Sequence, residues 1–216
     1  GGDLIDCEPF ARHPLSKIDQ DIAEDWVEEE LKPARAWLHD VAGRTRDRIE
    51  YLEGNHEHWI ERMCANGGPA WKAIWPLISP RILLAGSLDH CHYVPYVKSW
   101  GSKVGYADLH PRLVAVHGWA LGRNAATRHL ELARSRSIVF HHTHRMQHER
   151  TRDPFTGTLV EAFSVGCLCK LQPLYMHGGV PSCWIHGFWV GYLGTKSYTA
   201  YPIVIVNAKC TSKKKP

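Results

Sequence analysis

Two short apolar runs constrain this chain most. Leu113-Val114-Ala115-Val116 stops at His117-Gly118, and Ser137-Ile138-Val139-Phe140 stops at His141-His142-Thr143-His144. Runs this short, bounded by His, Gly or Pro, read as buried strands. The text between them is helical, with Asn124 placed to cap a helix reaching about Arg134. Upstream, Ser16 is placed to cap a helix carrying Ile18, Ile22, Trp26, Leu31, Leu38 and Val41, which Pro33 kinks or divides. Residues 48–52 alternate as a half-buried strand ending at Gly54, and His58 to Cys64 resumes a helical pattern. Residues 67–88, rich in Gly, Pro and Trp, read as a long connection with a short helix. Beyond Gln147 the pattern is β-like, with strands predicted over 158–165, 184–192 and 198–206. Strands alternating with helices, then a run of strands, predict a layered α/β sandwich with a largely β C-terminal half.

The chain has 216 residues, 44% apolar and 22% charged, which suits one domain with one filled core, so a single domain over 1–216 is expected. No run approaches the ~18 apolar residues of a membrane span, so no membrane partner is expected. The first residues, Gly1-Gly2-Asp3, are neither a Met start nor a charged leader with an apolar segment. The net charge of +4 includes Lys213-Lys214-Lys215 in a tail, 211–216, that reads as flexible and solvated. This mild excess permits a phosphate-bearing partner without requiring one. Seven cysteines, odd in number and with no C-x-x-C pair, read as reduced thiols of a cytoplasmic protein. Cys167 and Cys169 are two apart but lack a second pair to complete a zinc ribbon, so a structural zinc protein built on them is disfavoured.

Fifteen histidines are the compositional outlier. Some fall in three of four clusters that each follow a strand or the remnant of one: Gly2-Asp3, which has none, Gly54-Asn55-His56-Glu57, His117-Gly118 and His142-Thr143-His144. Loops at one sheet edge are where an α/β fold gathers its site. Carboxylate, amide oxygen and imidazole together suit divalent metals in phosphate-ester chemistry. Two histidines two apart on an extended segment point the same way, so both can reach ions ~3.5–4 Å apart. Histidines outside these clusters read as hydrogen-bonded structural residues.

The order G-D, G-N-H-E, H-G, H-x-H resembles the calcineurin-like metallophosphoesterases and, more narrowly, the phosphoesterases common in bacterial and bacteriophage genomes. The resemblance runs from Gly2 to about Arg145 and implies an α/β/β/α-type sandwich. It implies Asp3 as the carboxylate bridging two metals, with Asn55, His117 and His142 on the second metal and His144 on the first. His56 would stand beside the phosphate as general acid, with Glu57 supporting the ligands from behind. Trp119, His141 and Arg145 are further candidates for contact with substrate or ligands. The implied cofactor is one or two divalent ions, Mn²⁺ foremost, with Zn²⁺, Fe²⁺ and Mg²⁺ as alternatives. The family's first motif, Asp-x-His, has no place before Asp3, and His141 stands where the family has Gly. The expectation is therefore a chain truncated by its N-terminal strand-helix-strand unit, its first metal left with Asp3 and His144. Asp6 and His13 are the nearby replacement candidates.

The implied function is hydrolysis of a phosphoester by a metal-activated water in a cytoplasmic enzyme of a bacterial or phage-infected cell. A phosphodiesterase is favoured, with a nuclease as one form, so that nucleic acid or nucleotide is the expected substrate. The alternative is a non-catalytic metal-binding or scaffold protein that keeps the fold.

Overall fold

The computed structural model describes residues 1–12, 18, 20–96, 105–133, 135–171 and 183–211. The expected helix cap Ser16, the replacement candidate His13, His177 and tail residues 212–216 lie outside them. The chain is mixed α/β and falls into two compact units, 1–105 and 106–216.

In the first unit, residues 1–7 have no regular structure and lead into α1 (Glu8–Arg12). A continuous helical path follows: α2 (Gln20–Trp26), a π-helical turn (Val27–Leu31) and α3 (Lys32–Arg44). Pro33 therefore does not divide the helix. The irregularity falls just before it, where the Lys32 N–H donates to the Val27 carbonyl five residues back. Proline has no N–H and would crowd the carbonyl four residues earlier, and the wider turn accommodates its ring. Strand β1 (Ile49–Leu52) pairs in parallel with β2 (Cys91–Val94), Ile49 opposite Cys91. Between them run α4 (Glu57–Asn66), α5 (Pro69–Ile78) and α6 (Pro80–Ala85). Two helices thus occupy the stretch expected to be a long connection with one short helix. Pro69 and Pro80 open them, at the position where a missing N–H costs nothing and the fixed φ already fits. Ile5, Trp26, Leu38, Ile60 and Leu84 share one buried cluster.

The second unit holds a five-stranded sheet, in the order β3 (Tyr106–His110), β4 (Leu113–Val116), β5 (Ser137–Phe140), β7 (Leu159–Val165), β6 (Met146–Arg152). β4, β5 and β7 are parallel, while β3 and β6 are antiparallel edges. Every residue of β4 and β5 is buried, as befits interior parallel strands covered on both faces. Helix α7 (Ala125–Ala133) crosses from β4 to β5 and packs on β5, β6 and β7. A second, antiparallel sheet comprises β8 (Gly187–Leu193), β9 (Tyr198–Val206) and β10 (Lys209–Thr211). The C-terminal ends of β4, β5 and β7 lie along one edge, where His117, the His142–His144 segment and the Cys167–Cys169 segment leave the sheet. No described helix is long and apolar enough to cross a membrane.

Glu53, just after β1, is a core feature with a measurable signature. It is 4% exposed and accepts the Tyr96 N–H at 2.5 Å. Burial pushes its carboxyl up to about 7 from an ordinary 4.5. The folded state therefore holds an extra proton between those values, and stability falls as pH rises through that window. Gln keeps the acceptor for Tyr96 and removes the charge. Glu53→Gln is expected to raise the urea-unfolding stability at pH 8 by up to about 3 kcal/mol. Below pH 4.5 the gain should vanish.

Candidate metal centre

Residues 1–7 form no ladder, yet backbone N–H groups removed from water need acceptors. Two glutamates supply them. The Glu57 carboxylate accepts the N–H groups of Asp3 at 2.9 Å and Leu4 at 2.7 Å. It also takes the Gly54 N–H at 3.0 Å and the Tyr51 hydroxyl at 2.6 Å. Glu30, in the π-helical turn, accepts the N–H groups of Asp6 at 3.0 Å and Cys7 at 3.2 Å. Asp3 in turn accepts the His56 N–H through Oδ1 at 3.0 Å. Gly54 allows this closeness, because a Cβ there would drive into the Asp3 carboxylate and backbone. The Gly-Asp and Gly-Asn-His-Glu segments are thereby one hydrogen-bonded body. Glu57 is fully buried, and burial, then the Asp3 charge, pushes its carboxyl above the usual range against those hydrogen bonds. Its place in the first turn of α4 favours a negative charge.

His56 points its Nδ1 at Asp6 Oδ1, 2.8 Å away, and stacks on Trp59 with ring centroids 4.2 Å apart. Burial works against the imidazolium, but the Asp6 hydrogen bond and the charges of Asp3, Asp6 and Glu57 outweigh it, so its pKa is raised. Asn55 lines a shallow open pocket with His58, Trp59, Arg62 and Tyr96.

In the second unit, His117 Nε2 and His142 Nδ1 face each other at 3.1 Å. A neutral imidazole has one N–H, so this contact either spends a proton or turns two lone pairs toward one point, as a shared cation requires. The loop carrying His117 is fixed by His129, which is fully buried on α7. Its Nδ1–H donates to the Ala125 carbonyl at 2.7 Å, leaving Nε2 to accept the Trp119 N–H at 3.2 Å. The ring stacks on Phe140, centroids 4.1 Å apart. Burial, then the nearby His117, holds the His129 pKa down to about 4 against the Ala125 hydrogen bond. Gly118, at φ +106°, has a backbone conformation that a side chain would strain, and a Cβ there would lie tightly, 3.0 Å from His129 Nε2. The His141 N–H donates to the His117 carbonyl at 2.9 Å, continuing the β4–β5 ladder one step past the strands.

His144 lies beside two cysteines. Its Nδ1 is 3.8 Å from Cys169 Sγ, and ligand atoms of His144, Cys167 and Cys169 lie within 4.8 Å of one another. Trp184 packs edge-on against the His144 ring, centroids 4.1 Å apart. A hydrogen bond from Cys169 pushes the Cys167 thiol down and the Cys169 thiol up.

Backbone strain marks the same residues. Among the described residues, six other than glycine have positive φ, and they include Asp3 at 52°, His142 at 65° and His144 at 56°. Such conformations cost of order 1–3 kcal/mol each and persist where surrounding structure holds them, often at functional sites. Asp and His tolerate them better than most residues.

Within the first unit the structure therefore joins Asp3, His56 and Glu57, with Asn55 between Gly54 and His56 on the same turn. Within the second it joins His117 to His142 and His144 to the thiols. Trp119 packs on His129, 4.1 Å between centroids. His141 contributes its backbone, and Arg145 directly precedes β6. Asp6, considered as a replacement ligand, faces His56 instead. Sequence reasoning missed the Asp6–His56 pair, Glu30, and the grouping of His144 with the cysteines. Only the spacing of Cys167 and Cys169 hinted at the last. The carboxylate, amide and imidazole donors suit a borderline or hard divalent ion, so the residues present fit the implied metals.

No family model matches the chain, and no curated protein matches it. Among solved structures it is similar to a crystal structure of a Vps29 single mutant from Entamoeba histolytica, at 13% identity and a TM-score of 0.37. That match covers 76% of this chain and 94% of the other.

Two substitutions test the supports. Glu57→Gln keeps the shape but turns an amide NH₂ toward backbone donors, and should lower urea-unfolding stability by about 2–4 kcal/mol. His129 is neutral in the fold down to about 4, while the unfolded chain protonates near 6.5. Stability should therefore fall as pH drops through that interval, by up to about 3 kcal/mol from this residue. His129→Phe should flatten that part of the stability–pH curve.

Proposed function

We propose that this chain is a metal-dependent hydrolase of phosphoesters, most directly of phosphodiesters, with nucleic acid or a nucleotide as substrate class. Asp3, Asn55, His117, His142 and His144 are the proposed metal-holding residues, for Mn²⁺ or a similar ion. When bound, the ions would polarise the phosphoryl oxygens and lower the pKa of water. The observation that carries the reading is the Asp6–His56 pair beside Asp3. A histidine held by a carboxylate, its pKa raised, is a proton donor suited to a leaving group near neutral pH. The strained backbone at Asp3, His142 and His144 supports it too, since selection keeps such conformations where a side chain must be aimed.

His56 keeps Nε2 for the proton it delivers, because Asp6 engages Nδ1. Asp6 thus sets the tautomer and stabilises the charged ring. Glu57 and Glu30 hold the backbone that carries Asp3 and Asp6.

The test is hydrolysis of bis-p-nitrophenyl phosphate with added Mn²⁺. His56→Ala should lower kcat by ~10²–10⁴ with metal content unchanged. His142→Ala should lower metal content and rate together. Asp6→Asn should lower the His56 pKa and move the basic limb of the kcat–pH profile to lower pH. Undiminished activity in His56→Ala would refute its role. A chain inert toward mono- and diesters in every divalent ion would leave the scaffold reading in possession.

A further inference from the structure

We infer that His144, Cys167 and Cys169 form a zinc-selective site at the C-terminal edge of the parallel strands, with thiolate sulfur as two of its ligands. The inference stands on the second unit alone and goes beyond the phosphoester reading, which gives the first metal only Asp3 and His144. Zinc bonds of about 2.3 Å to sulfur and 2.0–2.1 Å to nitrogen imply a ligand-to-ligand distance of ~3.6 Å in a tetrahedron. Cys169 Sγ and His144 Nδ1 are 3.8 Å apart, and no pair in the trio exceeds 4.8 Å. Closing on an ion therefore requires only small side-chain adjustment.

The backbone around the trio is tied together. The Cys167 N–H donates to the Ile185 carbonyl at 3.0 Å, and the Ile185 N–H donates to the His144 carbonyl at 3.1 Å. The His186 ring meets the Cys169 carbonyl at 2.7 Å, as an Nε2–H donor. Gly166, at φ +97°, lets the chain pass the Ile185 carbonyl where a Cβ would collide. Trp184 fixes the His144 ring from one side. Ligands on two loops are thus pre-positioned by a third, as supporting contacts do in metal sites.

The chemistry selects the ion. Two thiolates and an imidazole are soft to borderline donors that favour zinc over Mn²⁺ or Mg²⁺. Three protein ligands leave a fourth position for water or substrate, the pattern of catalytic rather than structural zinc. Binding converts both thiols to thiolates and releases their protons to solvent, so affinity falls with falling pH.

The test is titration of the metal-stripped full chain with Co²⁺ and Zn²⁺, without substrate. The wild type should give a sulfur-to-cobalt charge-transfer band with tetrahedral ligand-field bands, and Zn²⁺ should displace it. X-ray absorption of the zinc-loaded wild type should show two sulfur neighbours at about 2.3 Å, a measurement needing no variant. Cys167→Ser and Cys169→Ser should each lower zinc affinity at least ~10–100-fold and diminish the band, while Cys210→Ser should leave it intact. Bound zinc with no sulfur neighbour, or a band that survives the Cys167→Ser/Cys169→Ser double variant, overturns the inference. The spectrum is independent of turnover: a thiolate band without hydrolysis supports the zinc site against the phosphoester reading, and Mn²⁺-dependent hydrolysis without any band does the reverse.

Discussion

The Glu57 carboxylate is the interaction on which the order of the first unit's N-terminal segment depends. Four donors converge on it, three of them backbone amides, those of Asp3, Leu4 and Gly54, from two segments distant in sequence. A segment without a ladder would otherwise bury amides at a cost of about 1–3 kcal/mol each. By meeting that need with one side chain in the first turn of a helix, the fold locks Asp3 against Gly54 and His56. The cost is a negative charge in a dry place, visible as the upward push on its pKa. Glu53 and Glu57 are both buried, yet substitution by Gln should act on them in opposite directions. Glu53 accepts the Tyr96 backbone N–H and suffers chiefly from burial. Glu57 is a hub, and an amide cannot accept at both ends.

The second unit uses a different device. Its parallel strands are buried on both faces and end together, so the residues just past them are delivered to one edge whatever their side chains prefer. His142 and His144 are held there in left-handed conformations, and His117 is held by the neutral His129 behind it. A neutral, doubly hydrogen-bonded histidine is a stiffer support than a charged one in an apolar setting, because no counter-charge is needed. The depressed His129 pKa is a consequence of its burial behind the loop that carries His117.

The strands β4, β5, β7 and β9 were legible because short apolar runs between polar punctuation leave few alternatives, and residue type alone marked the clusters after β4 and β5 as candidate ligands. The helices over 69–85 were only partly legible: one short helix was expected where two stand, since Pro and Gly are the same letters whether they break a helix or begin one. The π-helical turn was hidden as well: Pro33 announced a disturbance but not that it would fall upstream. Asp6 carries no pattern, and only its distance to His56 reveals its use. The His144 grouping was hidden because the third ligand lies on another loop, and a C-x-C pair alone has no sequence partner to point at.

The π-helical turn has a bearing on how this chain can change length. Val27–Leu31 lies partly at the surface, with Glu28 and Glu29 exposed, where an insertion or deletion would ordinarily be harmless. Here the one surplus residue in the turn sets the phase of everything after it. Deleting it would restore ordinary helix but rotate α3 by about 100°, turning Ala34, Leu38 and Ala42 off the core they now fill. It would also withdraw Glu30 from the Asp6 and Cys7 amides. The segment is thus tolerant of what its exposed letters are and intolerant of how many there are.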